Sequence, residues 1–329
     1  MALRMLYVRY IIGYTDSKSL PKELAMDTAA LIIAAGNTPR KKGFEPQHVV
    51  GTISAIQRVV KIFHRAGIER IIVICDRMDT ATEKLATHMG AVFLHSPMSA
   101  DMLDSVKVGL EYLKDKCSAV LVTHVDAPLF SVDTVCILIR TAESVGIPSY
   151  RGNKGHPILI RSEHFPSVLS YSGSGGLAGA VRALNLGSNT VDVDDEGILA
   201  DIQSENDYER LLSRHSLAEL CPEIQIRLAR EKAFYGPGAH QLLKLTDETS
   251  SLSEACRQMG ISSSKGRAII ALIEQQLRRP VIEGQAGGKS GGYSILTHDG
   301  KELIRNYTKF CAEAKQCLND LFIKHWSCQ

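Results

Sequence analysis

The chain lacks the features that would mark a secreted, membrane or fibrous protein. No apolar stretch approaches the roughly 18 uninterrupted residues that a bilayer-spanning helix needs, so no membrane partner is expected. Cys75, Cys117, Cys136, Cys221, Cys256, Cys311, Cys317 and Cys328 include no C-x-x-C pair and no regular spacing, which sets the zinc reading aside. Several sit inside apolar runs, as Cys75 does in Ile71-Ile72-Val73-Ile74-Cys75, the habit of buried free thiols in a reducing compartment. A cytoplasmic location follows as the expectation. A net charge of only +2 excludes a protein that binds nucleic acid by bulk positive charge, so any DNA contact must come from a local patch. What is present is ordinary globular composition, 44% hydrophobic and 22% charged, in a 329-residue chain with room for two domains.

Met1 to Ala25 fits the pattern that follows poorly. Tyr7 to Tyr14 is too short and too polar-flanked for a signal peptide's apolar segment, leaving an added strand or an extension ahead of Met26. The extension is the reading adopted, so residues 1–25 stand apart from an α/β domain over 26–215.

In that domain, short apolar runs alternate with helical patterns. Ala29 to Ala34, Ile71 to Cys75, Ala91 to Leu94 and Ala119 to Thr123 read as strands. Ile53, Ile56, Val60 and Phe63, then Thr80–Met89 and Ser105–Leu113, read as the intervening helices. Pro157 to Ile160 and Thr190 to Val193 extend the series, and Asp207 to His215 closes it. Unbroken apolar strands separated by helices indicate a Rossmann-like, mostly parallel sheet with helices on both faces. Residues 216–238 are expected to form a helical linker, charged over Ile224 to Lys232, with a hinge at Gly236-Pro237-Gly238.

Residues 239–329 read as helix, helix, tight turn, helix, hairpin and long helix. Ser251-Leu252-Ser253-Glu254 has the form of a capping box, and Gly260-Ile261-Ser262 supplies a turn and a new cap. The next helix is expected to turn Ala268, Ile269, Leu272, Ile273 and Leu277 inward and to expose Ser263, Ser264, Lys265 and Arg267. A helix-turn-helix presents the start of its second helix to the major groove in this way. Two strands around Gly287-Gly288-Lys289-Ser290-Gly291-Gly292 make a wing, whose glycines admit phosphate closely and whose Lys289 supplies counter-charge. From Gly236 onward there are twelve Lys and Arg against nine Asp and Glu, a mild excess, and a winged helix used for protein contact is the alternative. Leu303, Tyr307, Phe310, Ala314, Cys317 and Leu321 form a heptad seam on the last helix, which suits a homodimer on two half-sites.

The run Leu252-Ser253-Glu254-Ala255-Cys256, Met259-Gly260-Ile261-Ser262, the glycine-rich wing, and Leu296-Thr297 with Gly300 resembles the DNA-binding domain of the molybdate-responsive regulator ModE. The resemblance covers Gln241 to Leu321 and implies binding to double-stranded DNA. That regulator continues into molybdate-binding domains where this chain stops at Gln329, so molybdate sensing by that route is not expected.

In the α/β domain, Leu31-Ile32-Ile33-Ala34-Ala35-Gly36-Asn37-Thr38-Pro39-Arg40 is a strand followed by a loop able to offer amides and an arginine to phosphates. The run resembles the opening of the MobA/MocA-like nucleotidyltransferases, which attach GMP or CMP to molybdenum cofactor. Asp126-Ala127-Pro128-Leu129, Gly155-His156-Pro157, Gly173 to Gly179, and Asp201-Ile202-Gln203-Ser204 with Asp207-Tyr208 match further motifs in order. The resemblance implies a nucleotide, CTP or GTP, held by Ala34, Ala35, Gly36, Asn37, Lys41, Lys42 and His156. It implies Arg40 and Asp126 as catalytic residues, and Mg²⁺ at Asp126 and Gln203. The departures are equally specific. Lys41 and Lys42 replace a methionine and a glycine, Glu45 replaces a phosphate-facing lysine, and Gln203 replaces a metal-binding Asp or Asn. In the glycine loop, Ser174 and Ala178 replace an Asp and an Arg. Nucleotidyl transfer depends on metal and cationic stabilisation of developing charge, so these changes point to an eroded site. The expectation is a DNA-binding regulator connected with molybdenum cofactor or molybdoenzyme metabolism, whose degenerate nucleotidyltransferase-like domain holds a nucleotide or pterin ligand. The alternative is an active cytidylyl- or guanylyltransferase carrying a regulatory winged helix.

Overall fold

The structure, a computed structural model, describes residues 27–34, 45–75, 79–96, 101–187, 189–200, 210–213, 215, 220–285 and 293–326. The chain divides into two compact units, Met1–Glu219 and Leu220–Gln329. The N-terminal extension, the loop from Ala35 to Lys42, Gln203 and the wing tip with Lys289 lie outside the described residues.

In the first unit, β1 (Thr28–Ile33) is buried at every position, because helices cover both faces of the sheet. It pairs in parallel with β4 (Arg70–Cys75) on one side and β6 (Ala119–His124) on the other. A two-residue hairpin, β2 (Val49–Val50) and β3 (Ile53–Ser54), leads into α1 (Ala55–Arg65). That helix starts where Ser54 and Gln57 cap each other's backbone amides. α2 (Thr80–His88), β5 (Val92–His95), α3 (Met102–Leu113), α4 (Val132–Arg140), β7 (Val145–Tyr150), β8 (Asn153–Lys154), β9 (Ile158–Arg161), α5 (Phe165–Ser170), α6 (Gly176–Ala183) and β10 (Thr190–Asp192) follow. The main sheet runs β10-β7-β9-β6-β1-β4-β5, with β8 paired to β7. One face holds Ala30, Ile32 and Ala34 against Ile56, Val59, Val60 and Phe63 of α1 and Val135 and Leu138 of α4. On the other face, Leu31 lies against Gly109 of α3.

The mostly parallel sheet agrees with the expectation, with two additions. β9, expected within the series, runs antiparallel between β6 and β7. β7 itself goes unrecognised in the sequence because Gly146 and Pro148 interrupt its apolar run. β7 pairs with β9 only at Val145 and Gly146, so the missing donor of Pro148 falls beyond that pairing. The expected loop Gly173 to Gly179 is also shorter, since α6 begins at Gly176.

In the second unit, the helix expected over Ile224 to Lys232 is absent. Residues 220–227 carry no helix or strand, and β11 (Leu228–Ala229) pairs with β12 (Ala233–Tyr235). Ile224, Ile226 and Leu228 alternate with Gln225 and Arg227, a period of two that fits extended chain. Gly236-Pro237-Gly238, expected as a hinge, opens a helix instead, with Gly236 as N-cap and Pro237 in the first turn of α7 (Pro237–Thr249).

α8 (Leu252–Gln258), α9 (Ser263–Leu277), the antiparallel hairpin β13 (Ile282–Gln285) and β14 (Tyr293–Leu296), and α10 (His298–Trp326) follow in an order compatible with a winged helix. Only half of the expected capping box forms. Ser251 accepts from the Glu254 amide, but the Glu254 carboxylate turns to Arg257 at 2.8 Å and Gln258 at 2.9 Å, ion pairing having outcompeted the backbone. The inward face of α9 is Gly266, Ile270 and Ile273; Ala268, expected inward, is exposed. Cys256 of α8 sits against Gly266, so the helix crossing sets which residues face in.

Candidate functional sites

Open α/β sheets bind ligands beyond the carboxyl ends of their strands. Here the Ala34 amide donates to the Ile74 carbonyl at 2.8 Å, and the Val125 amide donates to the Ile33 carbonyl at 3.1 Å. These bonds extend the sheet one step past β1 and bring Ala34, His124 and Asp126 to one edge. Ala34 is fully buried with its amide already engaged, so it ends the strand and is not a free donor. Asp126 is half-buried in the turn that leads into buried Leu129 and Phe130.

β9 runs in the opposite direction and therefore starts at this same edge, where it delivers His156. The His156 ring meets the His124 ring edge-to-face, with centroids 4.7 Å apart. Burial and the neighbouring His124 push the His156 pKa down to about 3, against a backbone hydrogen bond to Val122. Burial also lowers His124, more than the Asp126 charge raises it. His156 keeps some exposed surface, but its Nδ1 is buried with no hydrogen-bond partner among the described residues. The residue is held by its own amide, which donates to the Ile198 carbonyl at 3.1 Å. Gly155 makes that approach possible, since a Cβ there would stand 2.2 Å from the same oxygen. The His156–Pro157 bond is cis.

His124 escapes sequence reasoning, although its place two residues before Asp126 at a strand end was a usable signal. Asp195 escapes it as well, because its partners are remote in sequence. It accepts from the Ser131 amide at 2.7 Å, the Thr134 hydroxyl at 2.6 Å and the Gly197 amide at 2.9 Å, joining the start of α4 to the segment that holds Gly155. Glu45, expected to oppose phosphate, is exposed. Beside the glycine loop, the Tyr171 hydroxyl donates to the Ser174 carbonyl at 2.7 Å, while Lys107 holds the Tyr171 carbonyl at 2.6 Å.

The second candidate surface is the start of α9. Ser262 caps the helix by accepting from the Lys265 amide at 3.1 Å. Ser264, Lys265 and Arg267 are exposed and Ser263 is half-exposed. Glu254, two turns away on α8, is paired with Arg257, which holds its carboxyl below the usual range.

Residues 30–189 match the family model described as the MobA-like NTP transferase domain. These residues form a MobA-like NTP transferase domain. The molybdenum-pterin-binding protein MopB of Rhodobacter capsulatus is 34% identical over 80 residues, 24% of this chain. The match spans 30% of that relative, so the chain covers about a third of its length. Among solved structures, a nucleotidyl transferase from Methanothermobacter thermautotroptrophicus is 19% identical with a TM-score of 0.49, covering 58% of this chain and 99% of that one. Rv0371c from Mycobacterium tuberculosis H37Rv is 19% identical with a TM-score of 0.48, covering 57% and 99%. In the MobA-like domain, the two halves of the edge site differ in what is described. His124 and His156 are brought ring to ring, with the Asp126 charge acting on His124, whereas Ala35, Gly36, Asn37, Arg40, Lys41, Lys42 and Gln203 lie outside the described residues. Among the described residues, no three His, Cys, Asp or Glu side chains converge on a point that would hold a metal ion.

Proposed function

We propose that the chain is a cytoplasmic DNA-binding regulator of molybdenum cofactor or molybdoenzyme metabolism, in which the MobA-like domain binds a nucleotide or pterin-type ligand. The observation that carries the DNA reading is the acid-free exposed start of α9. Ser264, Lys265 and Arg267 face solvent, and the one carboxylate of the helix, Glu274, is engaged by backbone amides of the following hairpin. Such a surface offers cations to phosphates and hydrogen-bonding groups to base edges without a repelling charge. Similarity to a molybdenum-pterin-binding protein supports the metabolic link. Retardation of mixed-sequence duplex DNA at low salt, relieved by raising salt, tests the reading; no retardation would refute it.

The acting form in this reading is a homodimer. α10 is 29 residues long, yet only Gly300 and Tyr307 on it are buried. Tyr307, expected in a seam between copies, packs on Tyr235 and His240 of its own unit. Phe310, Cys317 and Leu321 remain exposed along one stripe, with Phe310 and Leu321 about half accessible (52% and 53%). A long helix with an apolar stripe is marginal unless the stripe is covered. Phe310→Asp with Leu321→Asp should convert a dimer to a monomer by light scattering and weaken DNA binding. A monomeric unsubstituted protein would remove the dimer from the account.

A second reading keeps catalysis, and the meeting of His156 with His124, which feels the Asp126 charge, at the strand-end edge of a MobA-like domain favours it. The chain would then be a CTP- or GTP-dependent transferase. Bound Mg²⁺ would supply charge neutralisation across the phosphates. The described residues contribute Asp126 alone toward that ion, a partial fit. In this reading, Asp126→Ala lowers Mg²⁺-dependent pyrophosphate release by on the order of 100-fold or more. Nucleotide binding without release of pyrophosphate supports the regulator.

A further inference from the structure

The turn between α9 and the hairpin is bound on one side to Glu274 and on the other to Thr297. Val281 is fully buried, and its amide donates to the Glu274 carboxylate at 2.9 Å. The Ile282 amide reaches the same oxygen at 3.3 Å. The Val281 carbonyl meanwhile accepts from the Thr297 amide at 3.1 Å, and the Thr297 hydroxyl donates to the Pro280 carbonyl at 2.8 Å. The Glu274 backbone also takes part, its carbonyl accepting from the Arg278 amide at 2.7 Å to close α9. The root of the hairpin is therefore fixed to the end of β14 through backbone, and to α9 through the side chain of Glu274.

Those two attachments differ in what they do. The β14 bonds hold the hairpin together. The Glu274 bonds set the direction in which the hairpin leaves α9, because α9 and the start of β13 are joined only through the short Arg278-Arg279-Pro280 turn. Within that turn, Arg279 contributes an exposed ion pair to Asp299 at 3.4 Å, a long contact of small worth. A carboxylate that accepts two amides, one of them on a buried residue, is the stronger tether.

We propose that Glu274 is the positioning residue for DNA recognition, holding the wing at the angle at which wing and recognition helix engage one duplex together. The inference rests on the DNA-binding reading above. It separates reach from charge, since the side chain must span from the last turns of α9 to the Val281 amide. Glutamine keeps the length and an acceptor oxygen, whereas aspartate keeps the charge and is one methylene shorter.

The test compares the full chain with Glu274→Gln, Glu274→Asp and Glu274→Ala, titrating a fluorescent duplex over a range of salt while circular dichroism confirms retained helix. Glu274→Gln is expected to bind within about twofold of the unsubstituted protein. Glu274→Asp and Glu274→Ala are expected to bind about tenfold more weakly, with a shallower salt dependence reduced by roughly one phosphate contact. Equal affinity and salt slope in all four proteins would overturn the proposal and leave DNA binding intact. Loss in Glu274→Gln with retention in Glu274→Asp would overturn it in favour of a purely charge-based role. Failure of the unsubstituted chain to bind any duplex would overturn the DNA reading and this inference with it. Should Glu274→Ala fail to fold, the Gln and Asp variants decide alone.

Discussion

Gly266→Ala is expected to destabilise the second unit by about 1–3 kcal/mol, and Cys256→Ala in the same chain is expected to restore most of that loss. At Gly266 an added Cβ would stand 2.1 Å from the Cys256 sulfur, well inside van der Waals contact. Cys256 is itself buried (1% exposed) between α8 and α9, so its sulfur has little free space to move into. The crossing of these helices is what turns Ser264, Lys265 and Arg267 outward. Strain there should weaken DNA binding along with stability. Removing the sulfur vacates roughly the volume that the new methyl needs, so the two substitutions are coupled and their effects should not add. Urea unfolding of the two single variants and the double variant measures this directly. Additive losses would show that the contact does not govern the crossing.

Acidification from pH 6.5 toward 4 is expected to destabilise the α/β unit steeply. His215 is buried, with its Nε2 2.9 Å from the Phe130 carbonyl, and burial holds its pKa down to about 4 despite that bond. Arg58 and Arg65 push in the same direction, while Asp195 opposes them weakly. His156 is lowered to about 3 by burial and by His124. The folded pKa of each lies below the unfolded value near 6.5, so the unfolded chain binds more protons across this window. Stability is therefore complete above about pH 6.5 and is lost as pH falls toward the folded values. Each histidine contributes a slope of roughly 1.4 kcal/mol per pH unit. Between pH 6.5 and 4 the loss from His215 alone is on the order of 3 kcal/mol. Denaturant unfolding at pH 7, 6 and 5 should show this fall, and His215→Gln should flatten part of it. A stability that holds level to pH 5 would mean that these rings are solvated in the native state.

What the sequence reveals of the fold follows from where the information is local. β1, β4 and β6 are legible because strands buried on both faces carry unbroken apolar runs. The helices of the second unit are legible because caps, turns and glycines mark their boundaries at fixed offsets, as Ser262 and Gly260 do. β7 is hidden because Gly146 and Pro148 are tolerated only through its particular neighbours, β9 and β10. The segment at Ile224 misleads because its charge suggests a surface helix while its alternation fits extended chain. Within the site, Asp126 and His156 announce themselves by motif. His124, Asp195 and Glu274 do not, since each acts through partners that only the folded chain brings near.

The proposed regulatory role depends most directly on whether the second unit reads DNA. Selection of duplexes from a randomised pool by the full chain at low salt, followed by titration of the enriched sequence, measures it. The expected product is a two-fold symmetric site whose half-sites lie about one helical turn apart, with Lys265→Ala and Arg267→Ala each costing about 1–3 kcal/mol. A pool that shows no enrichment and no retained duplex even at low salt would contradict the account and leave the MobA-like domain as the part of the molecule that acts.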